Sequence, residues 1–138
     1  MIRVVFDTVI FVRALINPRG RWGRLIFDHA RLYVLVASPA IEREVLEVTA
    51  RPRLLRRYPQ MAEPSRVARI SAALQEAVIV EPAHLAGVSR DPGDDKFFAC
   101  AAAGGAQYIV SEDKDVLSVE EYQGVRTVTA AEFLDLIT

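Results

Sequence analysis

Short apolar runs alternate with longer amphipathic stretches along the whole 138-residue chain. Apolar runs rich in β-branched residues predict buried parallel strands. We expect such strands at Ile2–Phe6, Tyr33–Ala37, Val78–Val80, Gln107–Val110 and Arg126–Val128. Strands that alternate with helices predict the α/β class, a three-layer α/β/α sandwich with a mostly parallel sheet. We expect residues 1–138 to form one domain.

The helical stretches between these strands carry recognisable start and stop signals. Ser38 followed by Pro39 is a typical helix start, Thr129 and Glu132 form a capping-box pattern, and Gly104-Gly105 is a typical stop. The predicted helices are Thr8–Ile16, Trp22–Arg31, Ser38 to about Thr49, Arg53–Tyr58, Glu63 to about Ala77, Asp94–Ala103, a short helix within 111–119, and Thr129–Leu136.

Composition excludes several classes of protein. Cys100 is the single cysteine, so no intrachain disulfide can form, and we expect a cytoplasmic protein. No stretch is apolar enough to span a membrane, and we interpret the N-terminal residues as the first strand rather than a signal peptide. His29 and His84 are isolated, which argues against a zinc site, and no phosphate-binding glycine loop is present.

Charge is distributed unevenly along the chain. Residues 1–70 hold 13 arginines against 6 acids, whereas residues 71–138 hold 4 basic residues against 12 acids. Basic clusters occur at Arg19, Arg21 and Arg24, and again at positions 51, 53, 56 and 57. A guanidinium-rich half beside an acidic half favours a polyanionic ligand held against a metal site. The alternative is that arginine is only the preferred surface cation.

Two acids follow predicted central strands directly. Asp7 ends the first strand, and Asp113 lies three residues after the fourth. Because ligands of parallel α/β sheets bind beyond the carboxyl ends of the strands, these side chains are candidate site residues. Two neighbouring carboxylates would repel each other unless a cation lay between them. Taken singly, either acid could be a helix N-cap.

Two further acidic positions complete the candidate set. Glu44 shares a helix face with the apolar residues Ile41, Val45 and Val48, where a carboxylate costs stability unless it is paired or bound to metal. The alternative is an edge position that reaches water. Acids also crowd the segment 91–95, where spacing alone leaves Asp94 and Asp95 as alternatives. Carboxylate oxygens are natural ligands of Mg²⁺ or Mn²⁺.

Four motifs in this order resemble the PIN-domain family. They are Phe6–Thr8, Ser38 with Glu44, Asp95–Ala101 and Tyr108–Asp115. The segments Asp91–Lys96 and Thr129–Leu134 resemble the branch described as toxins of prokaryotic toxin–antitoxin pairs. The resemblance covers nearly the whole chain.

The resemblance implies a metal-dependent endoribonuclease that hydrolyses single-stranded RNA with Mg²⁺ or Mn²⁺ and leaves 5′-phosphate and 3′-hydroxyl ends. Its catalytic and metal-binding acids would be Asp7, Glu44, Asp95 and Asp113, with Asp115 as a supporting ligand. Thr8 and Ser111 would be hydrogen-bonding neighbours of the acids. The resemblance, not spacing, selects Asp95 over Asp94. It also implies a cognate antitoxin and a homodimer; the apolar face of Trp22–Phe27 is a candidate dimer contact, although we expect it to belong to the core.

Two other functions are weighed against this one. The family usually has Asn at the position of Val9, and that departure favours a catalytically weak or inactive PIN fold that binds RNA or a partner. A phosphatase of the haloacid dehalogenase type needs an acid two residues after Asp7, and Val9 occupies that position too. Cleavage of single-stranded RNA that EDTA abolishes would separate the nuclease from both.

Overall fold

The computed structural model describes residues 1–83 and 87–138. Within this part of the chain, six strands form one sheet in the order β3-β2-β1-β4-β6-β5. Every neighbouring pair is parallel except β5 and β6, which confirms the expected mostly parallel sheet. The strands are β1 (Ile2–Phe6), β2 (Tyr33–Ala37), β3 (Val78–Ile79), β4 (Tyr108–Val110), β5 (Glu121–Tyr122) and β6 (Val125–Val128).

Helices connect these strands, and most begin where the sequence predicts. Ser38 caps the third helix by accepting a 3.3 Å hydrogen bond from the N–H of Ile41, and Thr129 and Glu132 form the expected capping box. The helices are α1 (Thr8–Ile16), α2 (Arg21–Gly23), α3 (Pro39–Thr49), α4 (Pro52–Arg57), α5 (Pro64–Glu76), α6 (Asp95–Ala103), α7 (Lys114–Leu117) and α8 (Ala130–Ile137).

Helices pack on both faces of the sheet around an apolar core. On one face, Phe6 of β1 contacts the rings of Phe11 in α1, Tyr33 in β2 and Phe133 in α8. Helix α6 packs against β1, β2 and β4. Because parallel crossovers are right-handed, the reversal of strand order between β3 and β4 brings α6 to the opposite face. These layers confirm the sandwich architecture.

Two segments differ from the prediction. We expected one helix over Trp22–Arg31, but the chain forms α2, then a π-helix at Arg24–Asp28 and a 3₁₀ turn at Ala30–Leu32. The N–H of His29 donates to the carbonyl of Arg24, five residues earlier, at 3.1 Å. This spacing makes the turn wider than a turn of α-helix and interrupts the regular helical repeat. Strand β5 was not predicted, because a strand of two residues is too short to show the alternating hydrophobic pattern of a β-strand.

The same segment bears on the candidate dimer contact. Leu25 and Ile26 are buried, and Trp22 and Phe27 pack against the core at its edge. This packing agrees with the expectation that the Trp22–Phe27 face belongs to the core. His84 lies outside the described residues. None of the described helices has both the length and the apolar character that a membrane crossing requires.

The sheet order sets the position of the candidate site. Strands β1 and β4 are adjacent, with Phe6 opposite Val110 in the parallel register. The N–H of Asp7 extends the pairing by donating to the carbonyl of Val110 at 2.9 Å. Since α3 follows β2 and α6 lies across β1 and β4, the segments that carry the candidate acids lie near the carboxyl edge of the sheet.

Candidate active site

Asp7 and Asp113 are connected through one buried hydroxyl. Oγ of Ser111 donates to Oδ2 of Asp7 at 2.6 Å and accepts from the N–H of Asp113 at 3.0 Å. Asp7 is 6 % exposed and Ser111 is fully buried, so this geometry is shielded from water. The carboxylate of Asp7 and the backbone of Asp113, at the ends of β1 and β4, are therefore bonded to the same hydroxyl group.

Burial and neighbouring charge act together on Asp7. Desolvation raises the pKa of its carboxyl group, and the charges of Glu44 and Asp113 raise it further. The hydrogen bonds from Ser111 and from the N–H of Val9 lower it in part. Asp7 also caps α1, so the N-cap alternative and the site assignment describe the same residue. The net upward shift of the pKa therefore reflects burial first and the neighbouring acids second.

Glu44 extends from α3 toward these acids and is held by two donors. Oγ1 of Thr8 donates to Oε2 of Glu44, and Nζ of Lys96 lies 3.0 Å from Oε1. The Glu44 side chain is 30 % exposed, whereas Ile41 and Val45 on the same helix face are buried. The carboxylate thus lies at the border of the core. It is paired, as expected for a core-facing acid, and it also reaches water, as expected for an edge position.

Asp94 faces the acids of the other segments. The pKa of its carboxyl group is raised to about 7, first by burial and then by the charges of Asp7, Asp113, Asp91 and Glu44. Oδ2 of Asp94 is buried and has no hydrogen-bond partner among the described residues. A buried carboxylate oxygen without a donor is costly. One oxygen of Asp94 is therefore left without a compensating donor in residues 1–83 and 87–138.

Asp95 has a different environment. Its carboxylate accepts hydrogen bonds from the N–H groups of Ser89 at 2.8 Å and Gly87 at 3.1 Å. These bonds attach the segment before α6 to the first turn of that helix. Asp95 is 8 % exposed, and both of its oxygens are engaged by backbone. The charge of Asp7 contributes to the raised pKa of the preceding residue, Asp94.

Asp113 and Asp115 lie at the start of α7. Oδ1 of Asp113 accepts from the N–H of Asp115 at 2.8 Å, so Asp113 is the N-cap of this helix. The backbone carbonyl of Asp115 accepts from Ser118 at 3.0 Å. The described contacts of Asp115 involve its backbone, and they do not join its carboxylate to the other acids.

The donor set fits a hard divalent cation in charge and in ligand type. Asp7, Glu44, Asp94 and Asp113 supply carboxylate oxygens, and Oδ2 of Asp94 is buried without a hydrogen-bond partner among the described residues. The side chains nevertheless remain apart. In residues 1–83 and 87–138, no three Asp, Glu, His or Cys side chains converge on a common point, so binding would require them to move inward.

Sequence reasoning missed two site residues, Lys96 and Trp22. Lys96 follows the acidic segment directly and pairs with Glu44. Trp22 donates from Nε1 to Oε1 of Glu112 at 3.3 Å, beside Asp113. The guanidinium groups of Arg13 and Arg21 lie 4.9 and 5.6 Å from the Trp22 ring. The charge pattern located the basic clusters, but it could not predict which guanidinium groups pack against the Trp22 ring.

Comparisons with known proteins agree with this fold. The sequence pattern described as "PIN domain" matches residues 3–115. An uncharacterized protein of Methanocaldococcus jannaschii is 36 % identical over 124 residues, which span 87 % of this chain and 76 % of that protein.

Two solved structures share the architecture at low sequence identity. PAE2754 from Pyrobaculum aerophilum superposes with a TM-score of 0.63 at 12 % identity, over 99 % of this chain and 96 % of that one. VapBC2 from Rickettsia felis, solved bound to a DNA fragment from their promoter, gives 0.59 at 12 % identity, over 93 % of this chain and 98 % of that one. At this identity the likeness concerns the fold alone.

Proposed function

The chain belongs to the PIN-domain family, whose members are generally nucleases, and on this premise we propose that it is a metal-dependent endoribonuclease acting on single-stranded RNA. The observation that carries the proposal is the partly buried carboxyl group of Asp94, whose pKa is raised to about 7 by burial and then by the charges of Asp7, Asp113, Asp91 and Glu44. Negative charge crowded in this way favours a bound cation. We assign this activity to a single nuclease domain working in the cytoplasm.

The residues proposed to hold Mg²⁺ or Mn²⁺ are Asp7, Glu44, Asp94 and Asp113. When bound, the cation polarises a phosphoryl oxygen and lowers the pKa of a coordinated water. The family resemblance favoured Asp95, and the contacts of the two residues lead us to propose Asp94 instead. The carboxylate of Asp95 already accepts two backbone N–H groups, while Oδ2 of Asp94 has no donor.

Other residues of the chain orient the acids. Ser111 donates to Oδ2 of Asp7, which leaves Oδ1 to face the site with only a long, 3.4 Å contact from the N–H of Val9. Thr8 donates to Glu44. These bonds fix the rotamers of two proposed ligands before any substrate arrives, which lowers the cost of assembling the site. They support the expected roles of Thr8 and Ser111.

Basic and aromatic groups beside the acids suit an RNA strand. Arg21 is exposed and lies against Trp22, whose indole N–H contacts Glu112 next to Asp113. Guanidinium groups bind phosphates, and an indole ring can stack on an unpaired base. We propose that this group positions the strand next to the acids, with the exposed arginines 19 and 24 extending the same basic surface.

A cleavage assay tests the proposal. We expect the purified protein to cut single-stranded RNA with Mn²⁺, and to stop when EDTA is added. Asp7→Asn, Asp94→Asn and Asp113→Asn should each lose most of the activity, whereas Asp135→Asn, on the exposed side of α8, should cut like the parent. Cleavage that persists in EDTA or in all three site variants would refute the assignment.

A second candidate is a non-catalytic PIN module that binds RNA or a partner. Val9 stands where the family usually has Asn, and no three acids converge on a common point in the described residues. Binding of RNA without cleavage, at equal affinity with Mn²⁺ and with EDTA, would favour this function over the nuclease.

We also propose a biological setting for this activity. The fold likeness to VapBC2 of Rickettsia felis, together with the motif resemblance, supports a toxin that pairs with an antitoxin protein; a homodimer also remains a proposal. We expect a small open reading frame next to this gene, whose product relieves growth arrest on co-expression. Growth arrest that the neighbouring product leaves unchanged would contradict the pairing.

A further inference from the structure

Lys96 lies between two segments of the proposed active site. Its ammonium group is 3.0 Å from Oε1 of Glu44 on α3 and donates to the carbonyl of Gly93 at 2.6 Å. The Lys96 side chain is 25 % exposed, so the contact is partly shielded from water. Gly93 directly precedes Asp94. Lys96 therefore joins Glu44 to the turn that carries Asp94.

Both carboxylate oxygens of Glu44 are engaged in this arrangement. Oε2 accepts from Thr8 and Oε1 accepts from Lys96. An incoming cation that uses Oε1 meets a positive charge already in place. Among the acids of the site, Glu44 has an ammonium partner, while Asp94 has an oxygen without any donor. In the part of the chain that the structure describes, Glu44 has an ion pair with Lys96, and Asp7, Asp94 and Asp113 have no ion pair.

We propose that Lys96 is an internal counter-ion that competes with the divalent cation for Glu44. This inference rests on the proposed metal site. The Lys96–Glu44 pair must open before Glu44 can serve as a ligand, and the opened ammonium group stays attached to the Gly93 turn. Lys96 is a positioning residue in this scheme, because it acts on the site through Glu44.

The pair also offers a physical reason for the separation of the acids. Three carboxylates converge only if their repulsion is compensated, and Lys96 draws Glu44 into a pair of its own. Removing Lys96 makes the site more negative by one charge. At the dielectric of a partly hydrated site, one charge a few ångströms from a divalent ion changes its affinity by at least about tenfold.

The experiment compares Mn²⁺ affinity in matched variants by isothermal titration calorimetry. Lys96→Met removes the charge, Lys96→Arg keeps it, and Lys96→Gln keeps a donor for the Gly93 carbonyl in case the Met variant fails to fold. Arg51→Met is the control, because it breaks an exposed 3.3 Å ion pair with Glu47 on the same helix as Glu44. The gain in melting temperature with saturating Mn²⁺ is measured alongside.

We expect Lys96→Met and Lys96→Gln to bind Mn²⁺ at least about tenfold more tightly than the parent. Without metal their melting temperatures should be lower than that of the parent, and saturating Mn²⁺ should raise them by more. Lys96→Arg and Arg51→Met should match the parent. Equal or weaker affinity in both neutral variants would overturn the competition while leaving the nuclease proposal intact. If neither the parent nor any neutral variant bound Mn²⁺, both proposals would fail together.

Discussion

Ser111 donates a 2.6 Å hydrogen bond to the carboxylate of Asp7 across 104 positions of sequence. The bond exists because β1 and β4 are neighbours in the sheet, so that residues after their carboxyl ends come together. It opposes the effect of burial on the pKa of Asp7. A small hydroxyl thus keeps a buried acid closer to its ionised form.

Replacing Ser111 by Ala should weaken metal binding. Without its donor, the pKa of Asp7 rises further above the ordinary value, so a smaller fraction of the protein is ready to bind at neutral pH. Since a hydrogen bond to a charged group contributes about 1.5–3 kcal/mol, we expect Mn²⁺ affinity to drop by about tenfold or more. Calorimetric titration measures it. Ser118→Ala, which removes an exposed hydroxyl, is the control; equal affinity in both variants would contradict this role of Ser111.

Asp94 and Asp95 should respond differently to substitution. Asp94→Asn removes a charge from the site and should abolish Mn²⁺ binding with little loss of stability. Asp95→Ala leaves the N–H groups of Gly87 and Ser89 without their acceptor, which should lower the free energy of unfolding by about 1–3 kcal/mol. Chemical denaturation and metal titration of both variants separate the roles. If only Asp95→Ala lost metal binding, Asp95 rather than Asp94 would be the metal ligand.

The metal-free protein should become less stable as the pH rises. Because burial and neighbouring acids raise the pKa of Asp94 to about 7 and also that of Asp7, the folded state binds these protons more tightly than the unfolded chain does. Stability therefore falls from about pH 5 to about pH 8 in EDTA. Asp94→Asn should reduce this dependence of stability on pH, and Asp135→Asn should leave it unchanged. A melting temperature that increases with pH over this range would argue against uncompensated acids.

Helix α6 depends on a close approach to β2. A Cβ added at Gly104 would lie 2.4 Å from Cγ1 of Val36, so Gly104→Ala should destabilise the protein by about 1–3 kcal/mol through overpacking. Val36→Ala in the same chain should recover much of this loss, because it removes the clashing methyl group. A double-mutant cycle measures the coupling. Additive effects of the two changes would show that the helix can shift away from the strand.

The sequence predicts most of the strands and helices that position the candidate site residues. The strands that place Asp7 and Asp113 are short, apolar and adjacent, and the helix face of Ile41 and Val45 identifies Glu44 as a core-facing acid. Each of these residues lies in or just after a strand or helix that the hydrophobic pattern of the sequence predicts. Their common position follows from the carboxyl-end rule for parallel sheets.

The choice between Asp94 and Asp95 needs information that spacing does not contain. Consecutive helical positions differ by about 100°, so the start of α6 decides which acid faces Asp7. A 3₁₀ turn at Pro92–Asp94 precedes α6, and it displaces the helix start by one residue from the predicted Asp94. Lys96 was missed for a related reason, because its pairing with Glu44 joins residues 52 positions apart.

The central claim is that these carboxylates share one divalent cation. Anomalous diffraction from crystals soaked in Mn²⁺ tests it directly. We expect one anomalous peak at the carboxyl edge of β1 and β4, with oxygens of Asp7, Asp94 and Asp113 at about 2 Å from the ion. At saturating Mn²⁺, an edge without a peak, or a peak held by other residues, would contradict the account.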